Sequence, residues 1–300
     1  MCNSVSARGP WTTLDKSKHI NELELLGALF ALESFLGDAV GLSVRLFLDN
    51  STPVCYVNKS GGTRSLALTL TAKRLAEFCE SRQLSVEAVH LAGELNVDAD
   101  RESRADCDAS DWKLETSVFS RINEIWPSDI DLFSSAWNAQ LPSFFSWLPQ
   151  PGAAGVNAFS RNWKGFFGYV FPPFSLIFKC LEKIVKEEAN IVFVCPVWPT
   201  QPWFPVLLEL TCDVPRLLRS SQSLLVSLMN EPHPLLATGT LQLAAWNLSG
   251  KITDSRDFRS RWSTYSWPAT VPTHTQLMDR HGTIGQIGVF NGVPIPCQSL

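Results

Sequence analysis

Apolar side chains recur at Leu25, Leu29, Leu32 and Leu36, one stripe of a helix over residues 21–36. A short β-rich run, 42–48, follows and stops at Asp49-Asn50. Residues 65–82 return to the helical period, and 84–91 alternate as a strand does. This βα alternation predicts a parallel or mixed sheet with helices on its faces. Small and acidic residues at 105–111 then read as a connector. From residue 130 the character changes, with Trp137, Trp147, Trp163, Trp198 and Trp203 among many prolines. A helix over 175–189 leading into a strand over 191–195 predicts a second α/β domain. Beyond about residue 251 the chain is rich in Ser, Thr, Pro and Arg with no sustained period, which predicts a mostly disordered tail. The expected organisation is a first domain over 1–106, a linker over 107–127, a second over 128–250 and a tail over 251–300.

Three hundred residues with 45% hydrophobic content suffice for at least one substantial core, and the length favours two domains. A formal net charge of −4 argues against a polycationic, tail-driven nucleic-acid binder. It leaves room for a local basic groove, because binding responds to patches and not to totals. The eight cysteines are scattered without a C-x-x-C pair, and the five histidines are equally dispersed. A zinc site or disulfide framework needs clustered spacings, so these thiols are expected to be reduced packing residues in an intracellular protein. The first ten residues lack the layout of a signal peptide. The most apolar stretch, 166–178, is too short to span a bilayer and contains Pro172 and Pro173.

Three carboxylates fall at ends of the expected elements of the first domain. Glu24 lies in the first turn of a helix, Asp49 closes a strand, and Asp100 sits in a short helical segment over 96–104. Carboxylates gathered from separate elements are what magnesium, a hard cation taking oxygen ligands, requires. Each also has a structural explanation. Asn21 and Glu24 have the spacing of a capping box. Asp49 or Asn50 can cap the helix that starts near Thr52-Pro53. Asp100 can pair with Arg104 at i, i+4.

The motifs around these residues resemble those of a known family. L-E-L-L-G-A-L-F-A-L (23–32) resembles the ribonuclease H helix that carries a catalytic glutamate. L-F-L-D-N-S-T-P-V-C-Y-V-N-K-S-G-G-T-R-S (46–65) is similar to the next catalytic aspartate as found in DIRS-like retrotransposons. H-L-A-G-E-L-N-V-D-A-D-R-E-S-R (90–104) is similar to the closing motif with its last aspartate. The order and spacing agree over nearly the whole first hundred residues. The resemblance implies Glu24, Asp49 and Asp100 as Mg2+ ligands and His90 as an aid to product release. It also implies Asn50, Lys59 and Arg64, the last two in a donor-rich loop with Gly61 and Gly62, as contacts to an RNA–DNA hybrid. The family's first aspartate, on an opening strand in an aspartate-alanine-serine context, has no counterpart here. The expected fold class is thus α/β, an N-terminally truncated ribonuclease H-like domain followed by a Rossmann-like one.

The second domain has a resemblance of its own. I-D-L-F-S-S (130–135), V-N-A-F-S-R-N-W (156–163) and F-P-P-F-S (171–175) recur in this order downstream of ribonuclease H in DIRS-like elements. The block resembles a phage-type adenine DNA methyltransferase. That resemblance implies that Asp131 approaches S-adenosylmethionine and that Pro172, Pro173 and Phe174 border a pocket for a flipped adenine. Phe171 stands where the chemistry needs a hydrogen-bond acceptor, and Asn157 where aspartate is usual. Methyl transfer is therefore not expected. The function expected for the whole is that of a retrotransposon-derived ribonuclease H-like protein, inactive in this form. The alternatives are a non-catalytic nucleic-acid-binding or interaction protein, or a fragment without function.

Overall fold

A computed structural model describes residues 6–7, 11, 15–37, 39–62, 64–92, 111–228, 231–263 and 285–300. The protein is mixed α/β and divides into two compact units. The first comprises Met1–Cys107 with Ser135–Trp137 and Ser146–Val156, and the second comprises Asp108–Ser134, Asn138–Phe145 and Asn157–Leu300.

In the first unit, α1 (Ile20–Leu36) leads to β1 (Ser43–Leu48), α2 (Ser51–Asn58), α3 (Leu66–Ser81) and β2 (Ser85–His90). β1 and β2 pair in parallel, Ser43 opposite Ser85 and Leu48 opposite His90. A parallel pair needs a crossover, and α2 and α3 supply it. Val44, Leu46 and Leu48 alternate with exposed Ser43, Arg45 and Phe47, so one face of the pair packs on the helices. Leu25, Ala28, Leu29 and Leu32 present the buried stripe of α1 to Tyr56, Val57, Leu68, Ala72 and Leu75. Asn58, at the end of α2, accepts from Ala88 N and donates to Ala88 O, each at 2.8 Å. Its amide thereby occupies backbone groups that a further strand would otherwise use.

The second unit begins with β3 (Lys113–Leu114), α4 (Thr116–Ile125) and β4 (Ile130–Asp131). The chain passes through β5 (Phe145–Ser146), at the boundary between the units, and β6 (Gly155–Val156), counted with the first unit, before β7 (Phe167–Val170), α5 (Ile177–Glu187), β8 (Asn190–Pro196) and α6 (Phe204–Leu210) of the second. Then come β9 (Arg216–Leu217), β10 (Leu225–Val226), α7 (Pro234–Ala237), β11 (Leu243–Ser249), α8 (Ile252–Ser263), β12 (Gly285–Phe290) and β13 (Val293–Ser299). A seven-stranded mixed sheet runs in the order β12-β13-β9-β11-β8-β7-β4. β4, β7 and β8 are mutually parallel, and β11 is antiparallel to β8. All but the first residue of β8 are buried, as expected of a strand covered on both faces. Ile191, Phe193 and Cys195 pack with α5, α6 and Phe258 of α8, while Val192 and Val194 pack with α4 and Leu225 on the other face.

Two expected boundaries are corrected. The stretch 107–127 contains structure in its described part: β3 pairs with β10, and α4 buries Phe119 and Ile122. Phe119, Ile122 and Trp126 stand at i, i+3 and i+7, a helical stripe that the acidic residues just before it obscure. Trp126 is fixed further by its indole N–H, which donates to Asp213 at 2.9 Å. The tail is likewise not mostly disordered in its described part, where α8, β12 and β13 form. Asn291 and Gly292 both have positive φ, 49° and 79°, which is the two-residue turn that suits the twist of a hairpin. β13 then pairs in parallel with β9, and Ile295 and Cys297 are fully buried.

Ile295→Ala is expected to destabilise the protein by about 2–4 kcal/mol in denaturant unfolding, the usual cost of a large-to-small change in a core. A loss below about 0.5 kcal/mol, typical of surface positions, would show that the last strands are not part of the sheet.

Candidate functional site

The carboxyl ends of β1 and β2 carry the first constellation. His19 caps α1, its Nδ1 accepting from Asn21 N at 3.2 Å, so the helix starts two residues before the Asn21–Glu24 capping box would need. That leaves both side chains for other partners. Asn50 is the hub. Its Oδ1 accepts from Thr52 N at 2.9 Å and caps α2, while its Nδ2 donates to Asn21 Oδ1 at 2.9 Å. Burial raises the carboxyl of half-buried Glu24 above its usual range. Asn50's hydrogen bond opposes the shift, and the negative charge of Asp49 adds to it. The charge of Asp49 therefore reaches the Glu24 carboxyl, although the two stand 25 positions apart in sequence. Glu24 Oε2 is buried without a hydrogen-bond partner among the described residues.

His90 ends β2 opposite Leu48, and Leu91 N donates to Leu48 O at 2.8 Å. The exposed imidazole thus sits at the strand end beside the one from which Asp49 emerges. Asp100 lies outside the described residues, as does the closing motif from 93 onward. Lys59 and Arg64 are exposed. They follow the far end of α2, an eight-residue helix about 12 Å long that starts after Asn50. Their loop is also less free than its glycines suggest. Tyr56 Oη accepts from Ser65 N, and a Cβ on Gly62 would lie 2.8 Å from the Tyr56 ring. Among the described residues no group of three or more His, Cys, Asp and Glu gathers as a metal site. The donor chemistry nonetheless fits part of a magnesium site, since two carboxylates share an edge and one buried oxygen lacks a partner.

The second candidate lies at the carboxyl ends of β4 and β7. Asp131 is 2% exposed and stands opposite Tyr169. Its Oδ1 accepts from Phe133 N at 3.3 Å and its Oδ2 from Gln140 N at 3.0 Å. Burial raises its carboxyl from an ordinary 3.8 to about 6, against the pull of these two backbone donors and the charge of Lys113. A cavity of about 270 Å³ opens nearby, lined in part by Phe171, Pro172, Pro173 and Phe174. Asp131 is not in its wall. Each of its oxygens accepts one backbone N–H from its own loop, and the Phe171 side chain offers no acceptor to an adenine amine. Asn157 caps the turn Ala158–Ser160, accepting from Phe159 N at 3.2 Å in a left-handed conformation that asparagine tolerates.

The cavity is walled further by Asp111, Trp112, Phe133, Asn138, Ser175 and His233. Sequence reasoning missed His233. The signal was His233-Pro234 opening a helix, since the imidazole Nδ1 caps α7 by accepting from Leu235 N at 3.1 Å. No family model, curated protein or solved structure matches this chain. No helix among the described residues is long and apolar enough to cross a membrane.

Asp131 is expected to make the stability of the second unit depend on pH. Its folded pKa lies above its unfolded one, so its contribution is fully present below about 3.8 and is lost as pH rises through about 6. The loss is on the order of 3 kcal/mol. Subtracting the pH profile of Asp131→Asn from that of the native chain should expose this fall, and parallel profiles would show that Asp131 does not titrate there.

Proposed function

We propose that this chain is a retrotransposon-derived ribonuclease H-like protein, which engages RNA–DNA hybrid or related nucleic acid without hydrolysing it in the present form. The observation that carries the proposal is that the negative charge of Asp49, at the carboxyl edge of a parallel strand pair, reaches the half-buried carboxyl of Glu24. A capping-box glutamate has no reason to face a strand-end aspartate, and like charges at close range oppose each other unless a cation or proton intervenes. On this proposal the first unit is a ribonuclease H-like domain and the second a Rossmann-like, methyltransferase-derived one.

Glu24 and Asp49 would hold a divalent cation, with Asp100 as a third ligand. Bound magnesium would supply Lewis-acid stabilisation of charge developing on phosphodiester oxygens. Asn50 positions the edge by fixing the start of α2 and holding Asn21 and Glu24. His90, exposed at the neighbouring strand end, would aid product release. Lys59 and Arg64, beyond α2, would meet the phosphate backbone away from the carboxylates, in a contact independent of sequence. These 300 residues offer three of the four carboxylates that the resemblance implies, and hydrolysis by them alone is not expected. Methyl transfer is not expected either, given the engaged Asp131 and the apolar Phe171.

With Mg2+ and a labelled RNA–DNA hybrid, the chain should retain the hybrid with an affinity that falls steeply with salt. It should show no cleavage above a Glu24→Gln control. Metal-dependent cleavage lost in that control would overturn the inactivity, and salt-insensitive or absent hybrid binding would overturn the nucleic-acid role. Manganese binding followed by electron paramagnetic resonance should weaken about tenfold or more in Glu24→Gln and in Asp49→Asn. Unchanged binding in both would remove the metal-ligand assignment.

A further inference from the structure

Asp131 holds a loop by both of its ends. The chain leaves β4 at this residue and comes back to it at Gln140. Asp131 Oδ1 accepts from Phe133 N at 3.3 Å and Oδ2 from Gln140 N at 3.0 Å, so a single carboxyl ties the start of the excursion to its end. Asp131, Phe133 and Gln140 all belong to the second unit. Other bonds hold the same segment through backbone groups alone. Leu132 N donates to Tyr169 O at 2.9 Å, and Ser134 N to Phe145 O at 3.2 Å.

Two N–H groups on opposite oxygens suit a carboxylate and not a carboxylic acid. The ionised group accepts at both oxygens, whereas the protonated one carries a donor on one of them and loses an acceptor there. Burial acts the other way. Asp131 is 2% exposed, and taking its charge out of water lifts the carboxyl to about 6 in spite of both donors. Among the described residues, the charge that reaches it from a neighbouring element is that of Lys113 on β3, which favours the ionised form. The Tyr169 phenol opposite it on β7 is raised far above its usual range, first by burial and then by the Asp131 charge, so it stays neutral as Asp131 titrates. The hydrogen bonds and the burial therefore favour different protonation states, and they balance not far from neutral pH.

We propose that Asp131 is a pH-operated latch, which as a carboxylate fixes both ends of the loop over 132–140 and as a carboxylic acid lets one end go. Phe133, held at the first end, also lines the cavity beside β7, so the latch acts on part of that wall. The device is independent of the carboxylate edge of the first unit. The test is amide hydrogen exchange of the full chain, followed by NMR and expressed as protection factors, which remove the intrinsic pH dependence of exchange. Between about pH 7.5 and about pH 5, protection at Phe133 or Gln140 should fall about tenfold or more, with Leu132 and Ser134 unchanged. Global stability should move in the opposite direction over that interval, because the raised carboxyl of Asp131 stabilises the fold as it is protonated. Asp131→Asn keeps one acceptor and turns the other into a donor, so it should show the low protection at both pH values. Its neutral side chain of the same shape suits the buried site and should leave the fold intact. Equal protection of Phe133 and Gln140 at both pH values in the native chain would overturn the proposal. A parallel fall at Leu132 and Ser134 would overturn it in favour of general loosening. The same fall in Asp131→Asn would overturn it by assigning the titration to another group.

Discussion

Parallel strand pairing through helical crossovers is the constraint on which both candidate sites depend. A parallel pair points two carboxyl ends the same way, so the loops leaving them share one edge. In the first unit this puts Asp49 and His90 at neighbouring strand ends and lets α1 deliver Glu24 from the other side of the sequence. In the second unit β4 and β7 do the same for Asp131 and the Phe171–Phe174 turn. Were either pair antiparallel, the two loops would leave at opposite edges and neither constellation would form.

The two edges treat a carboxylate differently, and hydrogen-bond satisfaction separates them. Asp131 is buried, yet each oxygen accepts a backbone N–H from its own loop. Such a group completes a turn. Glu24 keeps a buried oxygen without a partner beside the charge of Asp49. An arrangement of that kind is costly unless a proton or cation offsets it, which is characteristic of a binding edge. Asn50 holds the difference in place, since one amide caps α2 and restrains Asn21 and Glu24.

Much of the framework was legible in the residues. The helical stripe ending at Leu36, the strand stopping at Asp49 and the strand from Ile191 to Cys195 all rest on simple sequence patterns, and the α/β class follows from them. The linker and the tail were misjudged because composition outweighed period. Acidic residues hid the stripe of Phe119, Ile122 and Trp126. Serines and prolines hid a hairpin that Asn291-Gly292 announces between two alternating runs. Lys59 and Arg64 illustrate a different limit. The resemblance implied them as contacts to a hybrid, and they follow the C-terminal end of α2, the helix that starts after Asn50. His233 and Asp111 are far apart in sequence, and only the packing of the second unit places both in one cavity wall.

The central claim is that Glu24 and Asp49 form one electrostatic unit at the carboxyl edge of β1. Site-resolved NMR titration of the Glu24 carboxyl, in the native chain and in Asp49→Asn, tests it most directly. A Glu24 pKa above the usual glutamate range in the native chain, falling when the Asp49 charge is removed, is the predicted result. A Glu24 that titrates identically in both proteins would show that the two carboxylates do not meet, and the shared edge would have to be abandoned.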